Sequence, residues 1–294
     1  MGKCSKDQRD IFYRLSKSEG YRARSAYKLI HLDQHYHLFN NPNQPIKTVV
    51  DLCAAPGSWS QVLVNKLGHH PELHDELPKI VAVDLQPMAP LSGVHQLMGD
   101  ITQIETAQAI MSYFNGQKTD LVVCDGAPDV TGLHDLDEFV QAQLLLAALN
   151  ITLSLLREGG SFVAKIFKGR DVGLLLSQLD CFFEEVSTFK PKSSRDSSIE
   201  SFVICRNYKP PIGFIPDMNQ PFSEHPSIHS SSTETSSQSI HLKQILQFVA
   251  CGDLSAYDPI ENPTTSSINN STNHSTQLTS SELGSETLIS KLTI

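Results

Sequence analysis

The sequence predicts an α/β domain built on a doubly wound, mostly parallel sheet, followed by a largely disordered C-terminal tail. Short apolar runs rich in β-branched residues alternate with longer segments of helical periodicity, as folds with parallel sheets require. Several of these runs end in an acidic residue and a turn. After Pro210-Pro211 apolar residues become scarce. We therefore place the domain at residues 1–209 and the tail at residues 210–294.

The first strand and the turn behind it are predicted to form a ligand-binding edge. Residues 48–50 (Thr-Val-Val) form a buried strand by their composition, and Asp51 stands at its end. Pro56-Gly57 then makes a tight turn, and Ser58 is the expected N-cap of a helix over residues 59–67. The glycine lets the backbone approach a ligand, and the helix start offers unpaired N–H groups. Because only one glycine is present, an ordinary α/β turn is the alternative.

The elements on either side of this turn complete the predicted domain. Ahead of it we expect apolar anchors at Phe12, Tyr13 and Leu15, and then at Tyr27, Leu29, Ile30 and Leu32 on a helix capped by Ser25. Behind it we expect strands at 79–84, 94–98, 120–125, 161–167, 184–189 and 201–206, and helices at 104–114, 136–156 and 171–180. The pair Gly159-Gly160 is expected to end the long helix.

Acidic side chains follow successive strands of the predicted sheet. Asp51, Asp84 and Asp125 end three of the strands, and Asp100 follows another. Ligands of open α/β sheets bind at the carboxyl edge of the strands, so these acids are candidate binding residues. Taken singly, each is more often a helix cap or a turn former. Four of them at one edge beside a glycine turn favour a binding site.

One lysine interrupts an apolar strand. Lys165 lies within residues 162–167, where a charged and unpaired side chain would be costly to bury, so it needs a partner or a lowered pKa. The alternative is an edge strand from which the lysine reaches water. Lys28 and Glu200, taken alone, would be ordinary surface charges.

Four segments together resemble a known family. They are the Tyr-Arg-Ala-Arg-Ser-Ala-Tyr-Lys-Leu segment at 21–29, the Asp-Leu-Cys-Ala-Ala-Pro-Gly-Ser-Trp-Ser turn at 51–60, the Lys-Ile-Phe-Lys-Gly motif at 165–169, and the segment at 192–202. Over about residues 10–209 the chain resembles the FtsJ-like RNA 2′-O-ribose methyltransferases, which use S-adenosylmethionine. The resemblance implies a Rossmann-like methyltransferase fold.

The resemblance also implies roles for individual residues. Lys28, Asp125, Lys165 and Glu200 match the family's catalytic tetrad, and no metal is needed. The matching cofactor contacts are Gly57, Trp59, Asp84, Asp100 and Asp125, although Trp59 could equally be a core residue. Asp84 is placed to accept hydrogen bonds from ribose hydroxyls, and Asp100 from an adenine amino group. Lys165, with its pKa lowered by Lys28 and by burial, would accept the proton of a ribose 2′-hydroxyl or orient its oxygen.

The tail suggests the substrate. Residues 242–260 form an apolar segment, expected to dock on the domain or on a partner, between two stretches too polar to fold. Within it, residues 248–258 resemble the eukaryotic cytoplasmic branch that methylates the anticodon loop of tRNA, including the wobble nucleotide. Members of that branch work with separate partner proteins that select the nucleotide. The alternatives are an enzyme of large-subunit ribosomal RNA and a catalytically inactive RNA-binding or partner-binding module.

Charge and cysteine content bear on partners and location. The formal net charge is −9, yet residues 1–28 hold eight Lys/Arg against three Asp/Glu. This basic N-terminal arm is a candidate phosphate-binding surface, and a solvated helix face is the alternative. Six scattered cysteines without a C-x-x-C pair suggest a reducing compartment rather than a zinc site or disulfides. We expect a cytoplasmic protein, with no apolar run long enough to span a membrane.

Overall fold

The structure is a computed structural model that describes residues 10–40, 45–68, 77–128, 134–169, 172–195 and 197–218. The helices are α1 (Ile11–Ser18), α2 (Ala26–Tyr36), α3 (Ser58–Leu67), α4 (Ile104–Tyr113), α5 (His134–Leu155) and α6 (Val172–Leu179). The strands are β1 (Thr48–Leu52), β2 (Lys79–Asp84), β3 (Val94–Met98), β4 (Thr119–Cys124), β5 (Leu156–Phe167), β6 (Phe183–Phe189) and β7 (Glu200–Tyr208).

The strands form one seven-stranded sheet in the order β3-β2-β1-β4-β5-β7-β6. Neighbours from β3 to β5 run parallel, whereas β7 is antiparallel to both β5 and β6. The strand order reverses between β1 and β4, which is where open α/β sheets bind ligands. The predicted doubly wound, mostly parallel sheet is therefore confirmed.

Helices cover both faces of this sheet. Val49 and Val50 are adjacent in β1, and because strand side chains alternate they enter separate apolar clusters. One cluster packs α4, α5 and α6 on one face, with Phe114 and Leu149 fully buried. The other packs α2 and α3 on the opposite face, around Leu29 and other apolar side chains. Burial on both faces explains why the central strands are continuously apolar.

Two predicted element boundaries are wrong. The N-cap of α3 is Gly57, in the left-handed region, and not Ser58, whose hydroxyl lies 2.6 Å from the hydroxyl of Ser25. Strand β5 begins at Leu156, which pairs with Thr119, so Gly159-Gly160 lie inside the strand and do not end the helix. The chain turns directly from α5 into β5.

The N-terminal anchors are only partly as predicted. Phe12 packs on the rings of Tyr27 and His31, with centroids 5.4 and 5.5 Å apart. Tyr13 and Leu15 are each 36% exposed on α1 and belong to neither apolar cluster of the core. Ser25 is the N-cap residue of α2 but makes no capping hydrogen bond through its side chain.

Helix α5 contradicts the expectation that no apolar run could span a membrane. Its Leu136–Leu155 stretch is long and apolar enough by length and composition alone. In the structure 61% of its residues are buried inside the protein, as expected for a core helix.

The chain continues to pack after β7. Lys209 N donates to Phe182 O, the ring of Phe214 packs on that of Phe182 with centroids 5.1 Å apart, and Met218 is buried. The proposed boundary at residues 209 and 210 stays a prediction. The apolar segment at 242–260 lies outside the described residues.

Candidate active site

The register of the strands aligns the candidate residues at the carboxyl edge of the sheet. Leu52 of β1 pairs with Val83 of β2 and with Cys124 of β4, and Cys124 pairs with Ala164 of β5. The residues that follow this row are Cys53, Asp84, Asp125 and Lys165. Residues far apart in sequence therefore lie near one another at the carboxyl edge because each follows a residue of this paired row.

The structure brings Lys28, Asp125, Lys165 and Glu200 into one cluster. Lys28 Nζ lies 2.7 Å from Glu200 Oε2 and 3.2 Å from Asp125 Oδ1. Lys165 Nζ lies 2.9 Å from Asp125 Oδ1, 3.7 Å from Glu200 Oε2, and donates to Asp125 O at 2.8 Å. Two lysines and two carboxylates thus alternate, and every cation contacts both anions.

Lys165 is not on an edge strand. Strand β5 lies between β4 and β7, and the lysine is 6% exposed, so it cannot extend into bulk water. Its charge is compensated by Asp125 and Glu200 and not by solvent. The alternative of a water-reaching lysine is therefore wrong.

The expected lowering of the Lys165 pKa is also wrong. Burial acts to lower it, but the charges of Asp125 and Glu200 and the hydrogen bond to Asp125 outweigh burial, so the pKa lies above its usual value. Burial likewise acts to raise the pKa of Glu200, and Lys28 and Lys165 lower it below the usual range. Sequence reasoning weighed the cationic neighbour and the burial of Lys165 above the two carboxylates, which lie 2.9 and 3.7 Å from its ammonium.

Elements from both faces of the sheet support the cluster. Lys28 stands in the first turn of α2, with its ammonium 5.7 Å from the ring centroid of Phe202. From the other face, the buried Gln141 of α5 donates to the carbonyls of Gly126 and Lys165, at 3.3 and 3.2 Å. Gln141 thereby links the ends of β4 and β5. Sequence analysis missed it, although a glutamine in a largely apolar helix was a usable signal.

A cleft adjoins this cluster on the side of the 53–57 loop. Its empty space, which includes open solvent, is about 220 Å³. The lining residues come from α2, β1, the loop, α3 and the end of β4: Ser25, Asp51, Cys53, Ala54, Ala55, Ser58, Trp59 and Asp125. Asp125 belongs to both the cleft and the cluster. A ligand in the cleft would therefore lie directly beside the two lysines.

Asp51, expected to end the first strand as one of four candidate binding acids, lies in β1 one residue before its end and lines the cleft. It is 1% exposed and accepts a hydrogen bond from Ser60 Oγ at 2.6 Å. Burial is the largest cause that raises its pKa to about 7, the Ser60 hydrogen bond opposes this, and Asp125 and Asp84 add to the rise.

Gly57 is required by the conformation of the loop. Its φ is +99°, and a Cβ atom placed there would lie 2.7 Å from Arg22 Nη1. Arg22 donates to the carbonyls of Pro56 and Pro90, at 3.0 and 2.8 Å, and so closes over the glycine. Sequence analysis missed Arg22, for which no local signal exists because its partners are 34 and 68 positions away.

Trp59 takes the core position that was the alternative to cofactor contact. It is 2% exposed, its indole N–H donates to Ser25 O at 2.9 Å, and its ring packs on that of Phe202. It also lines the cleft, so its contact with a cofactor stays a prediction.

Asp84 and Asp100 lie at the same edge and shape its turns. Asp84 accepts from Ala55 N and Gln86 N, each at 2.8 Å, which ties the 53–57 loop to the end of β2. Asp100 Oδ1 accepts from the backbone N–H and the hydroxyl of Thr102, each at 2.8 Å. The turn-forming role is therefore present in both residues, and their binding roles stay predictions.

The residues around the cleft fit S-adenosylmethionine. Its sulfonium carries a positive charge, and the carboxylates of Asp51 and Asp125 line the cleft. The small side chains of Ala54 and Ala55 leave the backbone of the loop accessible. Within the described ranges, no group of three or more His, Cys, Asp or Glu side chains could hold a metal ion.

Comparisons with known proteins agree with this geometry. Residues 21–208 match the model of the FtsJ-like methyltransferase family. The chain is 58% identical over 258 residues to a tRNA (cytidine(32)/guanosine(34)-2′-O)-methyltransferase of Mus musculus, covering 88% of this chain and 76% of that one. It is 53% identical to the enzyme of the same name from Schizosaccharomyces pombe, covering 88% and 86%.

A solved structure supports the fold. A Plasmodium falciparum protein assigned as a ribosomal RNA methyltransferase superposes with a TM-score of 0.56 at 26% identity. The match covers 64% of this chain and 98% of that one. The family match spans more than half of the chain and includes all four members of the lysine and carboxylate cluster. The chain belongs to the FtsJ-like methyltransferase family, whose methyl donor is S-adenosylmethionine.

Proposed function

We propose that this chain transfers the methyl group of S-adenosylmethionine to ribose 2′-hydroxyls in the anticodon loop of tRNA, at nucleotides 32 and 34. The observation that carries the proposal is the 58% identity across 88% of the chain to an enzyme named for that reaction. The assembled cluster of Lys28, Asp125, Lys165 and Glu200 supports an active enzyme over an inactive binding module.

The chemistry follows from what the cluster can do to a ribose hydroxyl. When bound, S-adenosylmethionine supplies a methyl group that its sulfonium already activates. The residues of this chain then have to hold the hydroxyl oxygen in line and manage its proton. The ammonium of Lys165 holds the oxygen by donating a hydrogen bond, and Lys28 fixes Asp125 and Glu200 beside it.

The raised pKa of Lys165 favours its carboxylate neighbours as the groups that take the proton. We therefore assign Lys165, as an ammonium, the task of orienting the oxygen. The hydroxyl becomes strongly acidic as its oxygen bonds to carbon, so a weak base is sufficient. Glu200, whose pKa is lowered, and Asp125 contact both lysines and are placed to accept the proton.

We also propose a cytoplasmic location and separate partner proteins that select the nucleotide. Both proposals rest on the resemblance of residues 248–258 to the cytoplasmic anticodon-loop branch and on the scattered cysteines. The small number of exposed basic side chains on α1, such as Arg14 and Lys17, supports help from a partner in holding RNA.

The deciding experiment maps ribose methylation on total RNA from cells that carry the gene, lack it, or carry only the Lys165→Met variant. We expect methylation at tRNA positions 32 and 34 to disappear in the second and third cases, with ribosomal RNA unchanged. Loss in large-subunit ribosomal RNA alone would favour the second candidate, an enzyme of that RNA. Full methylation with Lys165→Met would favour an inactive module.

A further inference from the structure

The two carboxylate oxygens of Glu200 have different partners. Oε2 lies 2.7 Å from Lys28 Nζ and 3.7 Å from Lys165 Nζ, within the catalytic cluster. Oε1 accepts a hydrogen bond from Ser194 Oγ at 2.7 Å, on the side away from the lysines. The Ser194 hydroxyl therefore occupies Oε1 and leaves Oε2 for the two lysines.

Ser194 is held rigidly enough to do this. It is 6% exposed, and its backbone N–H donates to Pro191 O at 2.9 Å. The neighbouring carbonyl of Ser193 accepts from Arg24 Nη2, and the other end of that guanidinium pairs with Asp10. The loop between β6 and β7 is thus attached to the N-terminal segment, and Ser194 cannot follow Glu200 if the carboxylate rotates.

The backbone of Glu200 does not fix its carboxylate. The residue is paired with Phe167 at the start of β7, and its N–H donates to Ser198 Oγ at 3.1 Å. Three side-chain torsions still separate that backbone from the carboxylate. Without Ser194, Oε1 would be left buried and unpaired, or the carboxylate would turn to find another donor.

We propose that Ser194 is a positioning residue that keeps one oxygen of the Glu200 carboxylate facing Lys28 and Lys165. The proposal rests on the methyl transfer proposed above. It gives the hydroxyl of Ser194 a part in the reaction that acts through Glu200. Arg24 supports it by holding the adjacent carbonyl in place.

The test compares Ser194→Ala and Ser194→Thr with wild type and with Ser177→Ala, a matched control whose hydroxyl bonds its own helix at Gly173 O. Full-length proteins are assayed with unmodified tRNA across pH, and S-adenosylmethionine binding is measured by calorimetry. We expect Ser194→Ala to lose about tenfold to a hundredfold in kcat, the effect of one hydrogen bond to a charged group. Threonine, which keeps the hydroxyl, should restore most of it.

The pH profile separates positioning from general destabilisation. Glu200 faces Lys28 from α2, Lys165 from β5 and Ser194 from its loop, and the Ser194 hydrogen bond helps to lower its pKa. Ser194→Ala should therefore move the acid limb of the kcat–pH profile to higher pH and leave cofactor affinity unchanged. Ser177→Ala should keep the wild-type profile. An unmoved acid limb, or a loss confined to KM or to cofactor affinity, would overturn the proposal.

A second measurement does not depend on activity. Chemical denaturation of Ser194→Ala, Glu200→Ala and the double variant gives the coupling between the two side chains. Additive effects would overturn the proposal, and non-additive effects would support it. A folded wild type that methylates no RNA would contradict the proposed function instead, and the coupling would still show whether Ser194 holds Glu200.

Discussion

Replacing Gly57 by alanine tests whether the 53–57 loop depends on its backbone conformation and on the arginine above it. The glycine has φ +99°, which L-residues adopt at a cost of about 1–2 kcal/mol. The new Cβ would also lie 2.7 Å from Arg22 Nη1. This guanidinium is the end of a flexible side chain, so it can move aside. The steric cost is therefore the loss of the hydrogen bonds that the Arg22 guanidinium makes.

Arg22 donates two hydrogen bonds, to Pro56 O and to Pro90 O. Each contributes about 0.5–1.5 kcal/mol, and the lower half applies because the guanidinium can regain water. Alanine also stiffens the unfolded chain, which offsets up to about 1 kcal/mol. We expect Gly57→Ala to lower the free energy of unfolding by about 1–4 kcal/mol, or Tm by about 2–16 °C for a domain of this size.

The assay is a double-mutant cycle of Gly57→Ala and Arg22→Ala, read by thermal unfolding and by calorimetric binding of S-adenosylmethionine. In the Arg22→Ala background the space above residue 57 is open, so alanine should cost only the backbone strain of about 1–2 kcal/mol. Cofactor affinity should fall at least about tenfold in Gly57→Ala, because the loop that lines the cleft is displaced. Unchanged Tm and affinity in Gly57→Ala, or strictly additive effects, would refute the reasoning.

Three further predictions concern charge. If Lys165 works as an ammonium, kcat should stay level between about pH 7 and 9, because its raised pKa keeps it protonated there; a tenfold rise per pH unit would identify neutral Lys165 as the base. The pKa of Asp51 is raised to about 7, so its contribution to stability is complete below about pH 4 and lost as pH rises through 7. Asp51→Asn should remove this pH dependence of the free energy of unfolding, measured by denaturation. The same pH dependence in wild type and variant would contradict the raised pKa. Replacing the exposed Arg14 and Lys17 by Glu should weaken tRNA binding several-fold and reduce its salt dependence. Cofactor binding should stay unchanged and serves as the control. Equal tRNA affinities of wild type and variant would contradict an RNA role for α1.

The sheet was predictable from sequence because its central strands are buried on both faces. Composition alone marks β1, β2 and β4 as apolar runs, and the acid after each run marks the carboxyl edge. The start of β5 was not predictable, because Leu156 continues the apolar pattern of α5 and the expected stop signal, Gly159-Gly160, falls inside the strand. A glycine pair ends a helix only where no strand partner takes up its backbone.

That Lys28, Asp125, Lys165 and Glu200 lie together was expected from the resemblance, whereas their electrostatics were not predictable from sequence. Lys28, Asp125, Lys165 and Glu200 come from α2, β4, β5 and β7, so their distances depend on tertiary packing. The sign of the Lys165 pKa shift depends on whether Asp125 at 2.9 Å outweighs burial. No pattern in the sequence carries that comparison, and none indicates that the Ser194 hydroxyl bonds Glu200.

The basic N-terminal arm shows why charge counts need a structure. Arg22 closes over the 53–57 loop, Arg24 donates to the Ser193 carbonyl, and Lys28 joins the lysine and carboxylate cluster. Three of the cations that made residues 1–28 look like a phosphate-binding arm are therefore engaged inside the protein. Deleting residues 1–24 would remove the supports of both the cleft and the Glu200 loop, so lost RNA binding would not isolate electrostatics. Charge reversal on the exposed side of α1 leaves those supports in place, and it is the perturbation that measures what the arm contributes to RNA.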